Sequence, residues 1–216
     1  MLVVGGPAGS GKSTAFPIHD FGVDPFNVDD RAAVLNGGSY LNIPPEIRAR
    51  AVRECEEFIE IHIRDGESFA VETTLRSDIT FRQADSARAN GFTVELIFVA
   101  TDDVETNVER VIMRSQRGGH SATPERLREI YSASLRHFPR AIKELDRVDA
   151  FDNTAFSGRP RLVLVARRGR ITYVTPHPPS WLKESLRGIN LVQLSSPIGG
   201  EAVEPSSDEP ESDGNL

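Results

Sequence analysis

The 216-residue chain is poor in residues on which several protein classes depend. Its single cysteine, Cys55, excludes an internal disulfide framework and any zinc site built from cysteines. No apolar run approaches the roughly 18 residues that a membrane-spanning helix needs. Lysine is also scarce, because Lys12, Lys143 and Lys183 are the only lysines among 25 basic residues. We therefore expect a cytoplasmic protein without a membrane partner, in which a lysine inside a motif stands out.

The formal net charge of −7 is concentrated at one end of the chain. Residues 201–216 hold six acidic residues and no basic ones, so the rest of the chain is nearly neutral. A nearly neutral body lacks the positive field that attracts a phosphate backbone, and we expect no nucleic-acid partner. The composition also shifts there to serine, proline, glycine and acids, which predicts a disordered acidic tail over 189–216.

Apolar runs alternate with amphipathic stretches along residues 1–188. This alternation predicts one α/β domain with a parallel sheet and helices on both faces. Strands are expected near 2–5, 25–28, 68–72, 92–100 and 148–151. Helices are expected near 44–64, 77–90 and 124–145, with a further helix capped by Asp102. A C-terminal β-hairpin over 161–175 and a short helix near 180–186 complete the predicted domain.

One motif constrains function more tightly than any other feature. It reads Gly6-Pro7-Ala8-Gly9-Ser10-Gly11-Lys12-Ser13 and matches G-x-x-x-x-G-K-S, the phosphate-binding loop of P-loop nucleotide enzymes. In such a loop the backbone N–H groups and the start of the next helix surround a phosphate. Lys12 would reach the β- and γ-phosphates, and the Ser13 hydroxyl would bind Mg²⁺. We therefore predict an ATP site over these residues and Thr14, with Ser13 as the metal ligand.

Acidic residues follow the second predicted strand, in the sequence Asn27-Val28-Asp29-Asp30. A carboxylate at a strand end beside a phosphate loop can accept the proton of a substrate hydroxyl as it attacks the γ-phosphate. We predict Asp29 as this general base, with Asp30 as the second choice. The same residues suit the N-cap of a helix over 31–35, and spacing alone does not separate the two roles.

Two further strand ends carry polar residues. Glu72 ends the third predicted strand. A carboxylate buried there without partners would be unfavourable, so we predict that it binds a Mg²⁺-bound water or a substrate hydroxyl. Thr74 and Arg76 follow it and are predicted to line the same wall, with Arg76 binding an anionic part of the substrate. Asp152 and Asn153 follow the last parallel strand, where they would face the adenine or form an ordinary turn.

A polar segment with three arginines precedes a pair of glycines. Arg110, Arg114 and Arg117 lead into Gly118-Gly119, and His120 follows. We predict a mobile lid in which Arg114 and Arg117 stabilise charge on the transferring phosphoryl group. The alternative is a solvated basic helix end. His120 is assigned to the substrate side, although a lone histidine is also a common hydrogen-bonding group in loops.

The stretches GGPAGSGKST, FNVDDRAAVL, SFAVETTL and the run from GFTVELIFVA to FDNT together resemble the zeta-toxin family of P-loop kinases, especially its short members. The resemblance spans about residues 1–186. It implies a P-loop kinase-like fold and transfer of the γ-phosphate of ATP to a hydroxyl, for which the best-known acceptor is UDP-N-acetylglucosamine. It also implies that Asp29 activates the sugar hydroxyl, that Glu72 is the acidic substrate-side residue, and that Arg114 and Arg117 are lid arginines. Any antitoxin would be a separate protein chain.

The chain departs from the family pattern at several positions. Ile130 stands where many short members have a second arginine before the tyrosine, and Asp30 replaces a common glutamate. The alternatives are therefore a kinase of another small metabolite, such as a sugar acid or nucleoside, and a non-catalytic ATP-binding regulatory module. A binding module needs neither Asp29, nor Glu72, nor lid arginines. A polynucleotide kinase is disfavoured by the nearly neutral body.

Overall fold

The computed structural model describes residues 1–116, 118–119, 122–155 and 158–187. The predicted acidic tail lies outside the described residues, as do Arg117 and His120. The strands are β1 Leu2–Gly5, β2 Asp24–Phe26, β3 Phe69–Thr73, β4 Glu95–Ala100, β5 Arg147–Asp152, β6 Arg161–Arg167 and β7 Arg170–Val174. The helices are α1 Lys12–Ala15, α2 Val28–Leu35, α3 Pro45–Asp65, α4 Ile79–Ala89, α5 Val104–Gln116, α6 Pro124–Glu144 and α7 Ser180–Ser185, with a 3₁₀ turn at Ile18–Phe21.

The strands form a single sheet in the order β2-β3-β1-β4-β5-β6-β7. The first five of these are parallel, and β6 and β7 extend the sheet as an antiparallel hairpin beside β5. The α/β fold with a C-terminal hairpin and short helix is therefore confirmed. Because parallel strands point the same way, the segments that follow β1, β2, β3 and β5 meet at one edge of the sheet.

Alternation along β1 shows how the two faces of the sheet are covered. Val3 points into the main core, which α3, α4, α6 and α7 complete, whereas Val4 packs with Ile18 on the opposite face. In the main core the ring of Phe98 stacks on Phe138 with centroids 4.4 Å apart, and the fully buried Trp181 contacts both rings. The helix that carries Trp181 thus closes the core next to β4.

Several element boundaries differ from the sequence expectation. Strand β2 ends at Phe26 because the Asn27 side chain caps α2, so Val28 is helical rather than extended. The expected cap at Asp102 is wrong: Asp103 accepts the hydrogen bond from the Glu105 backbone N–H. The Asp102 carboxylate instead accepts from the backbone N–H of Trp181, at 2.8 Å. It therefore anchors α7 to the end of β4.

None of the helices in the described part of the chain combines the length and the apolar character needed to cross a membrane. The two longest, α3 and α6, have 21 residues each but carry charged side chains along their exposed faces. Cys55 is buried within α3, as expected for a small core residue, and burial raises the pKa of its thiol to about 11.

Candidate active site

The loop after β1 lies so close to its neighbours that glycine is required at two positions. Gly6 has φ of 135° and Gly9 has φ of 80°, values that side-chain-bearing residues rarely adopt. A Cβ at Gly6 would overlap the carbonyl oxygen of Val99, and a Cβ at Gly9 would overlap that of Asn107. The loop therefore packs directly on the end of β4 and on α5. This is the close backbone packing that a phosphate cradle needs.

Lys12 lies inside this loop rather than extended towards solvent. Its Nζ donates hydrogen bonds to the carbonyl oxygens of Gly6 at 2.9 Å and Pro7 at 3.0 Å, and its side chain is only 6% exposed. Burial lowers the pKa of Lys12 below the ordinary lysine value. The carboxylates of Glu72 and Asp29 oppose this decrease, and Arg114 adds to it. A polyphosphate bound in the loop would add further negative charge beside this ammonium group.

Ser13 and Glu72 are in direct contact across the loop. The Ser13 hydroxyl lies 2.8 and 3.0 Å from the two carboxylate oxygens of Glu72, and one of these oxygens is 4.0 Å from Lys12 Nζ. A hydroxyl and a carboxylate that converge next to a phosphate loop form the oxygen donor set that Mg²⁺ prefers. The residues present therefore fit a magnesium ion. Glu72 therefore lies beside the loop, where the strand-end position predicted it.

The helix after the loop is short, as Pro17 in the sequence predicts. Helix α1 is a single turn of four residues, and Pro17 follows soon after its end. A helix this short has few aligned peptide dipoles, so it adds little charge stabilisation at its N-terminus. The loop N–H groups and Lys12 would carry most of the phosphate binding. The Asn153 side chain supports the loop from the end of β5 by donating to the carbonyl oxygen of Ser10, at 2.8 Å.

Of the two roles considered for Asp29, general base and helix N-cap, the structure gives the N-cap to another residue. Asn27 is the N-cap of α2, and its Oδ1 accepts from the backbone N–H groups of Asp29 and Asp30. Asp29 therefore lies in the first turn of α2 and does not cap it. The Asp30 carboxylate accepts a hydrogen bond from the Tyr40 hydroxyl at 2.7 Å, whereas in the described part of the chain no group hydrogen-bonds to the Asp29 side chain. Asp29 is the carboxylate that remains available to a ligand.

A turn after β3 presents Thr74 and Arg76 beside Glu72. Leu75, between them, is fully buried and adopts φ of 52°, an unusual left-handed conformation for leucine. The backbone N–H of Leu75 donates to the Thr73 hydroxyl at 3.2 Å, which supports this turn. Desolvation and the neighbouring Arg126 lower the pKa of Arg76, whereas the Asp29 carboxylate raises it.

The segments described above enclose one cavity of about 1260 Å³ at the carboxyl edge of the sheet. Most of the sequence-predicted site residues that the structure describes line it: Ala8, Gly9, Gly11, Lys12, Ser13, Thr14, Asp29, Glu72, Thr74, Arg76 and Arg114. Gly6, Pro7 and Ser10 form the loop behind this surface. Arg114 is exposed at the end of α5, next to Gly119. The predicted roles of Arg117 and His120 fall on residues outside the described part.

Three polar residues of the cavity were not indicated by the sequence motifs. Tyr40 comes from the connection between α2 and α3, Arg48 from the first turn of α3, and Arg159 from the segment before β6. The hydrogen bond to Asp30 raises the pKa of Tyr40 to about 12, which keeps its hydroxyl protonated. None of the three belongs to a local motif. The one available signal was Arg48, which is half-buried near the start of an amphipathic helix.

Arg110 and Asp152 connect neighbouring segments of the chain around the end of β5. Arg110 donates to the carbonyl oxygens of Asn153 at 3.0 Å and of Thr154 and Ala155 at 3.4 Å. It thereby links α5 to the segment after β5 rather than acting as a free lid arginine. The Asp152 carboxylate accepts from the Thr154 hydroxyl and from the Trp181 indole N–H. Asn153 is therefore the member of the pair that faces the cavity.

Comparisons with known proteins agree with this architecture. A chain from the PezAT chromosomal toxin–antitoxin system of Streptococcus pneumoniae has 15% identity and a TM-score of 0.54, and the match covers 86% of this chain and 75% of that one. A native AvrRxo1-ORF1:-ORF2 complex contains a chain with 17% identity and a TM-score of 0.62, covering 93% and 64%. The same complex with ATP gives 18% identity and a TM-score of 0.60, covering 79% and 59%. The chain thus spans less than two thirds of that longer relative.

No curated protein matched the chain. A family model described as zeta toxin matches residues 46–174, more than half of the sequence. The match includes Glu72, Arg76 and Arg114. It begins after the phosphate-binding loop and Asp29, so the assignment of those residues to the site rests on the sequence motif and on the geometry. The chain belongs to the zeta-toxin family, whose members are P-loop kinases.

Proposed function

We propose that this protein transfers the γ-phosphate of ATP to a hydroxyl group of a small anionic acceptor, with UDP-N-acetylglucosamine as the leading candidate. The proposal rests on the charges and positions of four side chains in the cavity. Lys12 of the phosphate loop interacts with Asp29, Glu72 and Arg114, and all four side chains line one cavity. A purely ATP-binding module would need the loop and Lys12 but no unengaged carboxylate opposite them.

The reaction assigns a defined task to each residue. The loop N–H groups and Lys12 bind the phosphates of ATP, and Asp29 takes the proton from the acceptor hydroxyl. As the acceptor oxygen bonds to the γ-phosphorus, the bond between that phosphorus and the β,γ-bridging oxygen breaks and ADP leaves. Arg114 stabilises the negative charge on the transferring group. Magnesium, held by Ser13 and Glu72, would neutralise phosphate charge when bound.

The acceptor side of the cavity supports an anionic substrate. Arg48 and Arg76 line the same cavity as Asp29 and Tyr40, and the Asp29 carboxylate interacts electrostatically with Arg76. Arginine side chains bind phosphate oxygens with paired hydrogen bonds, so these two residues suit the diphosphate of a nucleotide sugar. An acidic sugar would satisfy the same charges, which is why a kinase of another metabolite is the first alternative.

A separate antitoxin chain is part of the proposal. The PezAT relative is described as a toxin–antitoxin system, and a chain of the AvrRxo1-ORF1:-ORF2 complex was solved with ATP. These relatives support ATP as the phosphate donor and an inhibitor supplied in trans. The cytoplasm, where ATP and nucleotide sugars are made, is the compartment that fits this activity.

The test is incubation of the purified chain with γ-labelled ATP, Mg²⁺ and UDP-N-acetylglucosamine, in parallel with sugar acids, nucleosides and other hydroxyl metabolites. The Asp29→Asn variant is the control. Label on the nucleotide sugar with the native protein and not with the variant would support both the acceptor and the base. Label on another acceptor would retain the kinase and reject the nucleotide sugar. ATP binding with no transfer across the panel would favour the regulatory module.

A further inference from the structure

A histidine and two carboxylates meet at the edge of the sheet opposite the active-site cavity. His62 lies in the last turn of α3, Asp24 is the first residue of β2, and Glu67 precedes β3. One ligand atom from each residue lies within 4.8 Å of the other two. This group is at the amino ends of the parallel strands, whereas the phosphate loop follows a carboxyl end. It is therefore separate from the site described above.

The His62 ring is fixed in place and in tautomer. It is 93% buried, and its centroid lies 3.9 Å from that of Phe58 and 5.5 Å from that of Phe69. Its Nδ1 is 2.8 Å from the backbone carbonyl oxygen of Phe58, so the Nδ1 hydrogen must be donated there. The lone pair of neutral His62 is then on Nε2. That nitrogen is 3.2 Å from the Asp24 carboxylate, a contact that is favourable when Nε2 carries either a proton or a metal ion.

The backbone also brings Glu67 to the same place. Gly66 ends α3 in the left-handed conformation, and the backbone N–H of Glu67 donates to the carbonyl oxygen of His62 at 3.0 Å. Asp24 is held in register by pairing with Phe69, the first residue of β3. The three side chains are thus positioned by a helix terminus and a strand pair. Because Asp24 and Glu67 are both exposed, their carboxylates can shift while the imidazole stays fixed.

We propose that His62 Nε2, Asp24 and Glu67 bind a divalent transition-metal ion, with Zn²⁺ as the best match. An imidazole that donates its second N–H to a backbone carbonyl is the usual arrangement of a metal-ligating histidine. In tetrahedral zinc sites the ligand atoms lie about 3.4 Å apart, given bonds of about 2.1 Å. The 3.2 Å separation of His62 and Asp24 is close to this spacing, and the Glu67 oxygen, within 4.8 Å of both, exceeds it by at most about 1.4 Å. The ion would clamp α3 to β2 and β3.

The test uses full-length protein freed of metal with a chelator and of any histidine tag. Zinc is titrated in competition with a chromophoric zinc chelator, with Mg²⁺ present in excess to saturate oxygen-only sites. We expect one zinc ion per chain and a higher Tm when it is bound. His62→Gln, and separately the surface double variant Asp24→Asn with Glu67→Gln, should weaken zinc binding by at least about tenfold.

His137→Gln is the matched control, because His137 also lies beside a carboxylate, that of Asp78 at 3.9 Å, but without a third ligand in the described structure. It should bind zinc as the native protein does. The double variant keeps the buried imidazole, so it tests the site even if His62→Gln fails to fold. Absence of stoichiometric zinc binding, or equal zinc binding in the double variant, would overturn the proposal; a proton shared by His62 and Asp24 would then explain the short distance. Neither result depends on kinase activity.

Discussion

The Ser13 hydroxyl and the Glu72 carboxylate are in hydrogen-bond contact, at 2.8 and 3.0 Å, although the two residues are 59 positions apart in the sequence. They meet because β1 and β3 are neighbouring parallel strands, with Val4 opposite Glu72 in the register. The contact joins the phosphate-binding loop to the wall that carries Thr74 and Arg76. A change at Glu72 should therefore affect the metal-dependent part of the reaction.

Replacement of Glu72 by glutamine should raise the Mg²⁺ concentration needed for half-maximal phosphotransfer by about tenfold. Glutamine keeps the shape of the side chain but removes the negative charge that attracts the cation. Initial rates measured over a range of Mg²⁺ at saturating ATP would give this value. Glu60→Gln, on the exposed face of α3, is the control. Superimposable Mg²⁺ curves for the native protein and Glu72→Gln would remove Glu72 from the metal site.

Asp29 and Asp30 should respond differently to the same substitution. Asp29→Asn removes the proposed proton acceptor, so kcat should fall by at least about a hundredfold while the Kd for ATP changes little. Asp30→Asn weakens the hydrogen bond from Tyr40, which should lower the free energy of unfolding by about 1 kcal/mol with a smaller effect on kcat. Steady-state kinetics and ATP titration calorimetry separate the two effects. If both variants lost turnover equally, Asp29 would have no special role as the base.

The sequence carried enough local information to predict the framework of this fold. Strand β1 and the phosphate loop could be predicted because a short apolar run and a glycine pattern are contiguous in the chain. Glu72 could be assigned to the same edge as Lys12, since the ends of parallel strands converge whatever the order of the strands. The hairpin β6–β7 was predictable from two β-rich runs around Arg168 and Gly169.

The features of the fold and the site that could not be predicted depend mostly on contacts between segments that are distant in the sequence. Tyr40 enters the cavity through a loop whose path has no local signature, and it is held by Asp30. Asp102 has the composition of a helix cap, yet its carboxylate accepts from Trp181, 79 residues later. The end of β2 was predicted two residues too late, and the cause is local. Asn27 is a preferred helix-capping residue, and it ends the strand although apolar residues lie on both sides of it.

Gly9→Ala should lower the free energy of unfolding by more than the cost of a side chain in the left-handed conformation alone. A left-handed residue with a side chain costs roughly 1–2 kcal/mol in unfolding free energy. At Gly9 the added Cβ would also overlap the carbonyl oxygen of Asn107, so the loop must move and ATP binding should be lost. Gly37→Ala is the matched control, because its φ of 70° carries the same conformational strain while open space surrounds the position. Urea unfolding and ATP titration of both variants measure the two contributions, and equal behaviour of the two would show that the loop is not packed against α5.

ATP binding should be accompanied by proton uptake at alkaline pH. Burial lowers the pKa of Lys12 in the free protein, below the ordinary value of 10.5. The phosphates of ATP would add negative charge beside the ammonium and raise its pKa again. Between the two pKa values the complex holds more protons than the free protein, so the affinity for ATP should fall as pH rises through that window.

The proton uptake is measured by titration calorimetry between about pH 8 and 9.5, above the range in which ATP itself titrates, in two buffers of different ionisation enthalpy. A difference in the observed heat gives the number of protons bound. Lys12→Arg is the control, because a guanidinium stays protonated throughout this range and its ATP binding should show no uptake. Equal heats in both buffers for the native protein would mean that Lys12 is already fully charged before ATP arrives, and that its hydrogen bonds to Gly6 and Pro7 outweigh the effect of burial.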